Sequence, residues 1–165
     1  MRLTTENGFS LIELIIVIAI MAIVLGIAMP SLYQYRQNTN LKEATRELSA
    51  DISYCRQTAV AENIRHRIVF NQSANTYTIQ KENPVNSGNY VALSTKSPGS
   101  VSSSVIIMGS PNEPSFTGGV AYITFQPRGT MSAGTVWLQH TTRLSTSTIT
   151  TNLMGRVNVA YNLQY

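Results

Sequence analysis

One carboxylate stands where its chemistry must be accounted for. Glu13 lies inside an apolar run, residues 9–29 (FSLIELIIVIAIMAIVLGIAM), whose one other polar interruption is Ser10. An ionised group within a membrane helix costs about 2.5–3.5 kcal/mol at the helix centre and less near its end. Such a group calls for a cation, or it must reach the headgroups or stay protonated. The remaining reactive side chains are scattered. Cys55 is the single cysteine, which excludes an internal disulfide and a thiolate zinc site. His66 and His140 stand alone beside strand-like residues, and no CxxC, HExxH, phosphate loop, acidic calcium loop or G-x-S-x-G is present. Glu43, Glu47 and Asp51 have no histidine or ligand set beside them and read as a solvated face, or one that meets a neighbouring stem. No set of residues can be given the roles of a catalytic site, so the sequence implies neither an enzyme nor a cofactor nor a metal.

The elements that hold these groups follow from composition and period. The chain has 165 residues, 12 Lys+Arg against 8 Asp+Glu, and only 12% charged residues; its pI is about 9.4. That charged share is about half the usual one, and the deficit is concentrated at the start of the chain. At 1.5 Å per residue, residues 9–29 span roughly 30 Å, the hydrocarbon thickness of a bilayer. A cleaved secretory signal has a shorter apolar region followed by a small-residue cleavage site, so a retained membrane helix is expected. Basic residues flank the run on both sides, Arg2 before it and Arg36, Lys42 and Arg46 after it, so charge does not set its orientation. Pro30 cannot donate to the carbonyl of Gly26, which places a kink or loosened turn where the membrane segment becomes polar. From residue 31 to about 63, Leu41, Ala44, Leu48, Ile52, Cys55 and Ala59 recur at steps of three and four. They form one apolar stripe, with Cys55 as core filler.

After Asn63 the period becomes two. Strands are expected at residues 67–70, 76–82, 89–94, 104–108, 121–126, 135–140 and 156–161. Residues 94–104 and 109–119 read as loops, and residues 141–152 as an edge strand or a mobile loop. The expected architecture is α+β, with one or two antiparallel sheets laid on the stem helix.

Gly8-Phe9-Ser10-Leu11-Ile12-Glu13, followed by unbroken aliphatics, resembles the type III signal of type IV pilins and type II secretion pseudopilins. The resemblance implies a leader, residues 1–8, cut after Gly8 by a prepilin peptidase, and N-methylation of Phe9. It also implies a membrane helix over residues 9–29, an amphipathic stem over 30–63 and a β-rich periplasmic head over 64–165. The new amine of Phe9, on the same or a neighbouring subunit, would be the cation for Glu13 and set the register of assembly. Pilins carry a proline at the place of Pro30, where the helix can extend or melt, although a passive kink explains Gly26 and Pro30 equally well.

Ile123-Thr124-Phe125-Gln126-Pro127-Arg128-Gly129, a Trp-Leu strand and Gly155-Arg156-Val157-Asn158-Val159 are similar to the GspH/FimT-type minor pilins. That similarity implies a type IV pilin-like fold and a minor structural subunit of a bacterial pilus or type II secretion pseudopilus, helping to initiate or cap assembly. Its implied partners are prepilin peptidase, other pilins or pseudopilins, membrane lipid and the inner-membrane assembly platform. The head would lie on the periplasmic side of a single inner-membrane span. The alternative is a tip protein that captures DNA. Some FimT-type subunits contact DNA through a Gly-Arg-x-Arg motif, which here is Gly155-Arg156 with Asn158 replacing the second arginine. Arg128 and Arg143 are the other candidate contacts. In residues 71–165, Lys81, Lys96, Arg128, Arg143 and Arg156 against Glu82 and Glu113 leave an excess of three positive charges. Such an excess is ordinary surface charge, so DNA is not the favoured partner. Gly129 and Gly155 read on physical grounds as turn residues that permit positive φ.

Overall fold

The computed structural model describes residues 9–108, 120–142 and 144–164. A helix, α1 (Leu11–Glu62), precedes eight strands: β1 (His66–Asn71), β2 (Thr76–Glu82), β3 (Tyr90–Lys96), β4 (Val105–Met108), β5 (Val120–Phe125), β6 (Gly134–His140), β7 (Thr146–Thr151) and β8 (Val157–Asn162). A 3-10 turn, Pro98–Ser100, precedes β4. Two compact units result, Met1–Arg36 and Gln37–Tyr165.

In the first unit the large apolar side chains of α1 from Leu11 to Met29 all face outward, Ile12 being 67% and Ile23 65% exposed. A helix apolar on every side has no core to bury, and it is long and apolar enough to cross a membrane. In lipid the helix satisfies its own backbone groups, which overrides the modest helix propensity of so many Ile and Val residues. The helix runs through Pro30, and open space surrounds Gly26.

The second unit is built on the amphipathic part of the same helix. Leu41, Leu48, Ile52, Cys55 and Ala59 are fully buried there. The helix ends in a Schellman arrangement: Asn63 takes φ 56, its N–H donates to Val60, and Ile64 N–H donates to Ala59. All strand pairs are antiparallel, in two sheets ordered β3-β2-β1-β5 and β4-β6-β7-β8. Alternate residues of both sheets meet the helix stripe. Ile68 lies opposite both Ile79 and Ile123, and Val136 opposite Ile149. A buried hydrogen bond, Thr45 Oγ1 to Ser147 Oγ at 2.6 Å, joins helix to second sheet.

Three sequence expectations change. Residues 146–151 form neither an edge strand nor a loop: β7 is interior, between β6 and β8. Its inward residues are mostly small and polar (Ser147, Thr151 around Ile149), which hides an interior strand from hydrophobic period alone. The loop expected from residue 94 begins later, because β3 continues to Lys96, while residues 109–119 lie outside the described residues. The acidic stripe is not simply a solvated face. Lys96 Nζ lies 2.9 Å from both Asp51 carboxylate oxygens and 3.5 Å from Glu47 Oε1, and Tyr77 donates its hydroxyl to Asp51 at 2.7 Å. The hydrogen bond to Asp51 raises the Lys96 pKa. Burial, followed by that same carboxylate, raises the Tyr77 phenol above its ordinary value.

Ile52 is sealed in this core. Ile52→Asp therefore places an unpaired charge there and is expected to cost about 3–5 kcal/mol. Chemical denaturation of the detergent-solubilised chain checks this; a loss below about 1 kcal/mol contradicts burial of the stripe.

Candidate functional site

The N-terminal residues come together as a helix cap. Phe9 is 87% exposed, and Ser10 Oγ accepts the Glu13 N–H at 3.2 Å while the Ser10 carbonyl accepts Leu14 N–H. Ser10-Leu11-Ile12-Glu13 thus has the S-x-x-E pattern of a capping box, in which the acid also reaches back toward the start of the helix. Glu13 is the one acid of the first turn, where the helix dipole favours a negative charge. Among the described residues its carboxylate has no ion-pair partner within the chain. Gly8, the expected cleavage residue, lies outside the described residues. Ser10 is the residue that the sequence reading passed over, although the S-x-x-E spacing marks it.

A second group forms where two hairpins meet. In the first, Gly129 N–H donates to Gln126 and Gln126 N–H to Thr130; in the second, Gly155 N–H donates to Asn152 and Asn152 N–H to Arg156. Both are three-residue hairpins closed by a glycine at φ 81. Arg128 immediately precedes one glycine and Arg156 follows the other. Arg56, from α1, donates from Nε to the Gly129 carbonyl at 2.9 Å. A Cβ added at Gly155 would lie 2.5 Å from Arg56 Nε and 2.8 Å from the Gly129 carbonyl oxygen. The two turns are therefore in contact through a guanidinium that the sequence reading did not single out. Arg56 was missed because one arginine on a helix carries no spacing signal.

Arg128 and Arg156 are exposed, whereas Arg143 lies outside the described residues. Arg128 also lines a recess of about 460 Å³ with Arg65, Asn63, Asn86, Gln126 and Thr130. Arg65 is fixed in it by Gln126 Oε1 at 3.2 Å and by the buried Glu82 carboxylate at 3.5 Å.

The other reactive groups are buried. Burial, then the neighbouring Asp51 charge, pushes the Cys55 thiol up to about 12, which leaves almost no thiolate at neutral pH. His66 and His140 are both buried. His66 Nδ1 lies 3.1 Å from the Ile64 carbonyl and Nε2 3.6 Å from Glu62. Among the described residues no three His, Cys, Asp or Glu side chains are placed to hold a metal.

A long N-terminal helix packed on antiparallel sheets is the architecture of pilin-like filament subunits. The fold is similar to that of the minor pseudopilin EpsH from the type 2 secretion system of Vibrio cholerae, with a TM-score of 0.55, 7% identity, and 74% of this chain and 97% of that one covered. It is equally similar to the type IV minor pilin FimU of Pseudomonas aeruginosa, at TM-score 0.55 and 15% identity, over 76% of this chain and 92% of the other. Residues 3–29 match the prokaryotic N-terminal methylation motif, and residues 44–155 match the family described as type II transport protein GspH. The chain belongs to the GspH family. It is also 31% identical over 71 residues to competence protein ComGD of Bacillus subtilis, which covers 43% of this chain. The chain spans about half the length of that curated relative.

Gly155→Ala is expected to cost about 1–3 kcal/mol, since the new methyl meets a positive φ and the Arg56 guanidinium together. Adding Arg56→Ala should relieve the guanidinium contact but neither the backbone strain nor the close approach to the Gly129 carbonyl. A double-mutant cycle by denaturation measures the coupling, and strict additivity would contradict the contact.

Proposed function

We propose that this protein is a minor structural subunit of a pilus or pseudopilus, held in the inner membrane before assembly by residues 9–29 and helping to initiate or cap the filament. On this reading residues 1–8 are a leader removed after Gly8 by prepilin peptidase, and Phe9 carries the methylated amine. Residues 30–63 are the stem and 64–165 the periplasmic head. The observation that supports it best is the helix start. Glu13 sits in the first turn of a helix whose apolar side chains face outward as far as Met29, without an ion-pair partner among the described residues, and removing residues 1–8 would put a cation at Phe9, four positions away. An amine there, on the same or a neighbouring chain, satisfies the carboxylate where lipid makes it expensive. The membrane platform supplies the other contacts of assembly, and Gly26 and Pro30 give α1 a place to loosen.

Mass spectrometry of sheared filaments should find a mature chain that begins with methylated Phe9. Glu13→Ala should then reduce recovery in filaments at least tenfold without changing the amount in membranes. Unchanged recovery would defeat the pairing.

DNA capture at the tip is the second reading, supported by the contact between the Arg128 and Arg156 turns beside Arg56. Asn158 in place of a second arginine weakens it. Each phosphate contact on duplex DNA contributes roughly 0.9 to the log–log salt slope, so two or three arginines give weak, salt-sensitive binding. A fluorescence titration of the detergent-solubilised chain with duplex DNA should show no binding tighter than micromolar at physiological salt. Sub-micromolar affinity abolished by Arg156→Ala would make DNA capture the leading function.

A further inference from the structure

The recess of about 460 Å³ beside Arg128 is walled by polar groups that the fold leaves largely unused. Asn63 and Arg65 come from the segment between α1 and β1, Asn86 from the β2–β3 loop, and Gln126, Arg128 and Thr130 from the hairpin after β5. All belong to the unit that begins at Gln37. The volume is that of a small-molecule site, yet such sites are usually walled by apolar and aromatic side chains. Here guanidinium, carboxamide and hydroxyl groups take their place, which is the lining for a ligand that is polar over most of its surface.

A buried charge fixes the orientation of this lining. The Glu82 side chain is fully buried; its Oε1 accepts from Gly88 N–H at 2.8 Å and lies 3.5 Å from Arg65 Nη1. Its Oε2 is buried too and has no partner among the described residues. A buried carboxylate so incompletely paired costs stability. What it achieves is placement. Arg65 is held between Glu82 and Gln126 Oε1, the residue 83–89 loop that carries Asn86 is tied to the same carboxylate through Gly88, and Gln126 keeps Nε2 free to donate. Among the described residues the side chains of Asn63, Asn86 and Arg128 likewise make no hydrogen bond. Donors fixed before a ligand arrives lower the ordering cost of binding it.

Charge then selects the ligand. Glu82 offsets Arg65, and the C-terminal end of α1, beside Asn63, is the negative pole of the helix dipole. Arg128 is the cation of the recess left without an ion pair among the described residues. A single uncompensated cation suits a single carboxylate, which a guanidinium takes through two parallel N–H···O bonds. The amides and Thr130 both donate and accept, as ring hydroxyls require. Duplex DNA carries its phosphates on a convex rod and would meet only Arg128 at the rim. We infer that this recess binds a carboxylate-bearing sugar, a hexuronate unit of an acidic saccharide. Arg128 and Arg65 hold the carboxylate, and Asn63, Asn86, Gln126 and Thr130 hold the hydroxyls. The inference goes beyond the filament reading and does not depend on it, since the head alone forms the site.

Calorimetric titration of the detergent-solubilised full chain with a galacturonic acid trimer should show saturable binding. Arg128→Ala, at an exposed position, should weaken it about tenfold or more, the loss expected for a hydrogen-bonded charge. Arg65→Lys keeps a cation beside Glu82 but removes the planar fork, and should weaken binding similarly with the melting temperature unchanged. Arg46→Ala, exposed on α1 several turns before Asn63, should change nothing. A glucose trimer and inorganic phosphate should not bind. Absence of uronate binding by the folded chain, or equal binding by Arg128→Ala, overturns the site. Equal binding of the glucose trimer overturns the role of the carboxylate. Equal or tighter binding of a glutamate trimer overturns the sugar and makes the recess a contact for an acidic peptide, and displacement of the uronate by phosphate or duplex DNA overturns it in favour of phosphate. None of these results alters recovery of the chain in filaments, which tests the filament reading separately.

Discussion

The stripe from Leu41 to Ala59 is the constraint on which the rest of the head depends. A single helix face must be covered by two four-stranded sheets, neither of which is stable alone with one apolar face in water. That face is narrow. Leu41, Leu48 and Ile52 give it large residues over its first three turns, and Cys55 and Ala59 small ones toward its C-terminal end. The short Thr45–Ser147 hydrogen bond is tolerated inside because the Thr45 hydroxyl donates its one proton to the Leu41 carbonyl at 2.6 Å and accepts that of Ser147. The same helix upstream obeys the opposite rule, apolar on every side and long enough to cross a membrane.

At the flank of the stripe, apolar burial gives way to charge. Asp51 lies one residue before Ile52 and faces Lys96 and Tyr77, so it ties β2 and β3 to the helix while Ile52 fills the core. The pair is only partly exposed, and its worth lies in fixing which residues of β3 meet which turn of α1. At the opposite end Asn38 does similar work. It donates to the Gln164 carbonyl and accepts from Ser145, so Gln164 is held against the start of the stem.

Much of this architecture was legible in residue order, because it follows from periods of 3.6 and 2. The helix stripe, β2 and β6 emerge directly from alternation of apolar and polar side chains. β7 did not, since an interior strand whose inward positions are Ser147 and Thr151 carries no apolar alternation. The Lys96–Asp51 contact was equally invisible: it joins residues 45 apart, and either charge alone reads as solvated. In the candidate sites the glycines were legible from their turns, and Glu13 from its setting. Arg56 was not, because it acts on backbone that only the folded chain brings near.

Asn158 lies where the Gly155 turn leads into the edge strand β8. It follows the Gly155 turn by three residues and lies opposite Thr150 on β8, where its side chain is exposed. An arginine at that position would extend the basic patch around Arg128 and Arg156 and give a polyanion another contact. The same arginine would place a charge on the free edge of β8, a common way to discourage strand pairing. Asparagine provides neither effect. The proposed nucleic-acid contact and the charge on the edge strand β8 therefore depend on one position, and asparagine there supplies a cation to neither.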